Sequence, residues 1–160
     1  MTVRVGMGFD AHQLVKGRPL VLGGIEVPFE SGLAGHSDGD VLVHAIIDAL
    51  LGAAGLGDKG SHFPSTDAQY SNISSLLLLA QAVQLLHVRG WRVVNVDATM
   101  MAQRPRVGPF IERMKAKVSE VLGIPQGDVS IKATTTDHLG FVGREEGIAA
   151  HAVTLLEEQR

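Results

Sequence analysis

His36-Ser37-Asp38-Gly39-Asp40-Val41-Leu42-Val43-His44-Ala45-Ile46-Ile47-Asp48-Ala49-Leu50-Leu51-Gly52-Ala53-Ala54-Gly55 is the stretch that decides the fold. From Val41 to Leu51 its apolar residues cover most of a helical circumference. A helix that is apolar on nearly every side must be buried on nearly every side, so other elements have to cover it. Ser37-x-x-Asp40 reads as a capping box opening the helix, and Gly55 reads as its stop signal. One stripe breaks the apolar pattern: Asp40, His44 and Asp48 recur every fourth residue. Buried polar groups of this kind need hydrogen-bond partners or a metal.

Upstream, Gly8-Phe9-Asp10-Ala11-His12 follows an alternating run of Val3, Val5 and Met7 that predicts a strand. Asp10 and His12 are two residues apart and share one side of that strand. With His44 they make three nitrogen and oxygen ligands, which leaves one tetrahedral position open, as in a catalytic zinc site. A lone His44 on an apolar helix would be an ordinary structural histidine, and the nearby Asp-x-His pair argues against that plainer reading. Asp38-x-Asp40 is not a calcium loop, because the later ligands and the closing Glu of an EF-hand are missing.

Downstream the chain alternates strands and helices. Leu20 to Val27 reads as a hairpin turning at Gly23-Gly24. Ile73 to Arg89 reads as a helix and Trp91 to Met101 as a strand. Pro109 opens a helix closed by Gly123. Val129 to Thr134 and Gly147 to Leu155 read as strands. The order predicts an α/β (α+β) chain, with one mixed sheet and helices packed on one face.

The chain has 160 residues and is read as one domain over 1–160. It is 45% hydrophobic but only 4% aromatic, so the core is aliphatic. A mean hydropathy of +0.17 suggests burial between subunits. The net charge of −3 argues against a nucleic-acid partner. No Cys is present, so thiolate ligands and thiol nucleophiles are excluded. That absence fits a cytoplasmic setting. No apolar run reaches membrane-spanning length, and no membrane partner is expected.

Three further stretches carry polar chemistry. Gly57-Asp58-Lys59-Gly60-Ser61-His62-Phe63-Pro64 is a turn-rich loop, able to hold sugar hydroxyls or simply to connect. Ala102-Gln103-Arg104-Pro105-Arg106 ends a strand with two Arg beside a rigid Pro, suited to phosphate or merely exposed. Thr134-Thr135-Thr136-Asp137 offers hydroxyls and a carboxylate for a hard cation. The same Thr134-x-x-Asp137 spacing is also that of a capping box. Arg144, followed by Glu145 and Glu146, reads as an anion site or an ion pair.

The motifs at 8–12, 36–45, 48–64, 96–106 and 132–149, in this order, resemble those of the 2-C-methyl-D-erythritol 2,4-cyclodiphosphate synthase family along essentially the whole chain. The resemblance implies a phosphorus-oxygen lyase of the non-mevalonate route to isoprenoids. It would convert 4-diphosphocytidyl-2-C-methyl-D-erythritol 2-phosphate to the 2,4-cyclodiphosphate and CMP. It further implies a homotrimer whose sheets meet at the centre, with sites between neighbouring subunits. Zinc, one per subunit, falls to Asp10, His12 and His44, and Mg²⁺ or Mn²⁺ arrives with substrate at Asp137. His36 and Thr135 take the catalytic role of aligning phosphates. Ser37, Asp58, Lys59, Gly60, Phe63 and Ser65 fall to substrate, as do Ala102, Arg106, Thr134, Phe141 and Arg144. An isoprenoid diphosphate on the trimer axis is a candidate further partner. Asp137 stands where the family commonly has Glu, and Ser65 where an Asp often follows Phe-Pro. The competing readings are a zinc-dependent nucleotide phosphohydrolase and a non-catalytic trimeric metal- or isoprenoid-binding module. A fourth protein ligand, with His62 the residue to check, would favour the module.

Overall fold

In the computed structural model of the chain, which describes residues 1–159, the N-terminal alternation continues well past Met7. Strand β1 spans Val3–Lys16, so Asp10 and His12 share one strand. β2 (Leu20–Leu22) and β3 (Ile25–Val27) form the expected hairpin. Gly23 and Gly24 turn it with φ of 60° and 73°, the two left-handed positions of a type I′ turn. β4 (Ser31–Leu33) then returns alongside the end of β1.

Helix α1 (Val41–Ala54) is buried almost all round, as its sequence requires. The short α2 (Lys59–His62) leads to α3 (Ser75–Val88), and β5 (Trp91–Met101) precedes α4 (Ile111–Leu122). Pro109 sits in a 3-10 turn, Gly108–Phe110, just ahead of α4. β6 (Val129–Thr134), the short α5 (Gly140–Gly143) and β7 (Gly147–Glu158) complete the chain. The main sheet runs β4-β1-β7-β5-β6. Its β5–β6 pair is parallel and the other pairs are antiparallel. The helices pack on one face, with α1 against β1 and β7 at the centre. Among the described residues, no helix is long and apolar enough to cross a membrane.

Two local expectations are corrected. Ser37 does not cap α1; the cap is Asp40, whose carboxylate accepts from Val43 N at 3.1 Å. The same carboxylate accepts from Gly23 N at 3.0 Å and Gly24 N at 2.7 Å, tying the hairpin turn to the helix start. The polar stripe on α1 therefore divides. Asp40 is satisfied by backbone, Asp48 accepts from Lys59 N at 2.7 Å, and His44 alone faces the Asp-x-His pair. Thr134-x-x-Asp137 opens no helix either. Asp137 and His138 are left-handed, with φ of 51° and 64°, and the Thr134 hydroxyl donates to the Thr135 carbonyl.

The apolar side of β1 also points the opposite way from a simple core strand. Val3, Val5, Met7 and Phe9 are exposed, while Gly6 and Gly8 face α1. The glycines are required by contact. A Cβ on Gly8 would lie 1.9 Å from the Ala45 carbonyl oxygen, and one on Gly6 would lie 2.0 Å from that of Ala49. Helix α1 thus rests directly on the β1 backbone, which brings His44 down to Asp10. The apolar row continues onto β7, where Val5 and Met7 pair with Leu155 and Val153.

Candidate functional site: a three-ligand metal centre and a separate pocket

Asp10, His12 and His44 converge as their spacing requires. Asp10 Oδ2 lies 2.7 Å from His12 Nε2 and 3.0 Å from His44 Nδ1, and the two ring nitrogens are 3.2 Å apart. Two imidazole nitrogens and one carboxylate oxygen form the donor set of an open zinc-type centre. The group contains three residues. His62, the one candidate for a fourth, hydrogen-bonds through Nε2 to the Leu56 carbonyl at 2.7 Å.

The ring nitrogens turned away from the cluster are also held. His12 Nδ1 hydrogen-bonds to the Ala34 carbonyl. His44 Nε2 meets the hydroxyls of Ser75 at 2.8 Å and Ser37 at 3.0 Å. Such outer contacts fix ring orientation and tautomer at metal sites. Ala34 and Ser75 carry no signal in the sequence. One contributes only a backbone carbonyl, and the other lies 31 residues from the ligand it touches.

The electrostatics suit a cation. Burial alone would raise the Asp10 carboxyl, but hydrogen bonds from both histidines outweigh it and hold the group well below the usual carboxylate range. Burial pulls His12 down, yet its contact with Asp10 wins and raises it. His44 is more deeply buried, and desolvation, helped by the charge on Lys59, lowers it. A neutral imidazole and a stable carboxylate are the states that bind metal: Asp10 and His44 are held in them, while a cation arriving at Asp10 has to displace the proton that Asp10 favours on His12.

The other predicted residues fall into distinct places. Ala102, Arg106, Thr134 and Thr135 line one cavity of about 450 Å³ at the ends of β5 and β6, beside Pro105 and the start of α4. None of Asp10, His12 and His44 lines it, so the metal-type cluster and this pocket are separate in one chain. Arg104 is occupied by Glu145, with both nitrogen–oxygen distances at 2.9 Å. Arg106 is the arginine of that loop that faces the cavity. Thr135 and Asp137 are exposed and adjacent, with Asp137 N donating to the Thr135 hydroxyl at 3.3 Å.

His36 contacts the Asp67 carbonyl through Nε2 at 2.9 Å. Asp58 caps α2 by accepting from Ser61 N at 2.8 Å and from the Ser61 hydroxyl at 2.7 Å. Lys59 and Gly60 begin α2, and Ser65 is exposed beyond it. The Phe63 ring is buried in the core, edge-on to Tyr70 at 5.6 Å, and its backbone N–H is bonded to the Lys59 carbonyl at 2.8 Å. Phe141 shares a hollow with His12. Arg144 pairs with Glu146 at 3.1 Å, the ion-pair alternative raised by its sequence.

The chain matches the family model of the YgbB family over residues 3–157. It is 58% identical over 156 residues to the 2-C-methyl-D-erythritol 2,4-cyclodiphosphate synthase of Syntrophomonas wolfei, covering 98% of this chain and 99% of that protein. It is 56% identical to the synthase of the same name from Syntrophobacter fumaroxidans, over 96% of this chain and 97% of that one. Among solved structures, the bifunctional IspDF of Campylobacter jejuni is similar with a TM-score of 0.95 and 41% identity; the match covers 98% of this chain but 42% of that one. The CDP complex of IspF from Plasmodium falciparum is similar with a TM-score of 0.86 and 30% identity, over 99% of this chain and 97% of that one.

Proposed function

This chain belongs to the YgbB family, and on that footing we propose that it closes 4-diphosphocytidyl-2-C-methyl-D-erythritol 2-phosphate into the 2,4-cyclodiphosphate with release of CMP, in the cytoplasm, as one domain spanning its length. The observation that carries this reading is the open triad of Asp10, His12 and His44, which occurs on the same chain as a separate pocket at Ala102, Arg106, Thr134 and Thr135.

The reaction needs no nucleophile from the protein. An oxygen of the 2-phosphate forms a bond to the phosphorus that bears the methylerythritol ester. The bond from that phosphorus to the CMP oxygen breaks, and its electron pair leaves with CMP. The chain's task is to position two anionic groups in line and offset their repulsion. The triad fits Zn²⁺ by its donor set, and a divalent ion held there supplies positive charge to a phosphoryl oxygen. Asp137 is the proposed ligand of a Mg²⁺ or Mn²⁺ that comes with the diphosphate; one carboxylate plus phosphates and water suits those ions. His36 and Thr135 align the phosphates. Arg106 and Thr134 hold the cytidine end, while Ser37 and the loop from Asp58 to Ser65 face the polyol. Phe141 and Arg144 close the end of the site.

Each site is proposed to lie between two subunits of a homotrimer, with the triad from one and the cytidine pocket from its neighbour. The exposed apolar row of Val3, Val5, Met7 and Phe9 supports such an assembly, because an unpartnered sheet face of this kind is costly in water. A mixing experiment tests it. His44→Ala disables the triad, and Ala133→Trp fills the pocket that Ala133 lines. Each variant alone should be inactive. Random reassembly of equal amounts should recover about a quarter of the wild-type sites, because one neighbour can supply each intact half. No recovery from well-mixed trimers would mean that each site is built within one chain.

A further inference from the structure

Asp38 is an acidic residue that the mechanism above does not use. It lies two residues before Asp40, the cap of α1, yet it reaches across to the start of α3. One carboxylate oxygen accepts from Ser75 N at 2.9 Å, and the other accepts from the Ser75 hydroxyl. Ser75 is wholly buried. Its hydroxyl is also 2.8 Å from His44 Nε2. The three groups therefore form a chain that ends on a ligand of the triad.

Hydrogen-bond polarity decides what this chain does. An ionised carboxylate only accepts, and a hydroxyl has a single proton to donate. Ser75 gives that proton to Asp38 and can offer His44 only a lone pair. His44 Nε2 must then carry the hydrogen, which leaves the lone pair of Nδ1 facing Asp10 Oδ2 and His12 Nε2. We propose that Asp38, acting through the Ser75 hydroxyl, is a positioning residue that locks His44 in its Nε2–H tautomer and so sets the affinity of the triad for a divalent ion. The proposal rests on reading the triad as a metal centre. His12 is locked by different means, through the Ala34 carbonyl, which no side-chain substitution can remove. Ser37, the other hydroxyl near His44, accepts from Gly39 N at 3.4 Å and has no carboxylate fixing its proton.

Asp38 also caps α3, whose own N-cap residue Ser74 makes no side-chain cap bond. The carboxylate oxygen that accepts from the Ser75 hydroxyl also accepts from Asp40 N at 3.0 Å, so an Asn amide would set its NH₂ against a backbone N–H in either orientation. The decisive variant is therefore Asp38→Ala. It removes the acceptor of the Ser75 proton and leaves His44 Nε2 as the partner of that hydroxyl. Ser75 then turns its proton toward His44, which favours the Nδ1–H tautomer with no lone pair for the metal. The lost cap by itself does not move the tautomer.

The measurements are the Zn²⁺ dissociation constant, by competition with a chelator, and the His44 tautomer in the metal-free chain, by ¹⁵N NMR. Loss of such an outer contact typically costs about 10–100-fold in metal affinity. Asp38→Ala should show that loss together with a switch from Nε2–H to Nδ1–H. Ser75→Ala removes the relay but leaves the N–H that Asp38 caps, and should weaken zinc with a mixed tautomer. Wild-type affinity and wild-type tautomer in Asp38→Ala would overturn the proposal and leave the carboxylate as a helix cap only. A wild-type chain that takes up no Zn²⁺ would instead defeat the metal reading beneath it.

Discussion

Replacing His44 with Ala is expected to remove bound metal and to lower CMP release by at least about 10³-fold, roughly 4 kcal/mol of barrier. His44 contributes one of only three donors, and Nδ1 sits 3.0 Å from Asp10 Oδ2 and 3.2 Å from His12 Nε2. Two remaining ligands on one strand cannot enclose a cation. His44 is 1% exposed, so its loss also leaves a small cavity and takes one hydrogen-bond partner from each of the Ser37 and Ser75 hydroxyls. That should cost on the order of 2–3 kcal/mol of stability, too little to abolish the fold. Metal analysis beside circular dichroism separates the two effects. A folded variant that retained one zinc per chain would remove His44 from the ligand set.

Gly8→Ala is expected to be the most damaging single-methyl change in the chain. The added Cβ would lie 1.9 Å from the Ala45 carbonyl oxygen and 2.7 Å from Ala49 N. Both are backbone atoms of α1, and neither can move aside as a side-chain tip could. The helix would have to lift from β1 by more than an ångström, and cores resist such displacement. A loss of about 3 kcal/mol or more follows from overpacking. Lifting α1 also carries His44 away from Asp10, so metal should be lost along with stability. Gly52→Ala on the same helix is the control, since its Cβ would meet nothing closer than the Met7 carbonyl oxygen at 4.0 Å. That change should be neutral, or stabilising by up to about 1 kcal/mol through helix propensity. Thermal midpoints and zinc content measure both variants. A Gly8→Ala chain matching wild type in each would contradict the close packing of α1 on β1.

The parts of this architecture that were legible in the sequence are those governed by local periodicity. An almost wholly apolar run at Val41–Ala54 had to be a buried helix, and Asp10-x-His12 on a strand had to share a side. Gly23-Gly24 specified a tight hairpin through conformation that only such residues adopt easily. What stayed hidden depends on contacts between distant residues. The alternation of Val3, Val5 and Met7 is correct for a strand but cannot say which face meets the helices. Close approach of α1 gave that face to Gly6 and Gly8. Ser37 and Asp40 are both good capping residues, and the choice fell to Asp40 because the hairpin turn offers its carboxylate two further N–H donors. Nothing around Ser75 marks it as a neighbour of His44. The turn-rich loop from Gly57 to Pro64 reads from sequence as a connection or a holder of sugar hydroxyls, and folding engages Asp58 in a cap and Phe63 in the core. The separation of triad and pocket becomes visible only once the strands that carry them are placed in the sheet.

In the proposed reaction the substrate's own phosphate is the nucleophile. Turnover in water enriched in ¹⁸O, followed by mass analysis of both products, tests it most directly. The expected products are CMP and a cyclic diphosphate, neither carrying solvent oxygen, because the only bond formed lies within the substrate. A linear product heavier by one water, with one ¹⁸O in it or in CMP, would show that metal-bound water attacks and that the chain is a hydrolase.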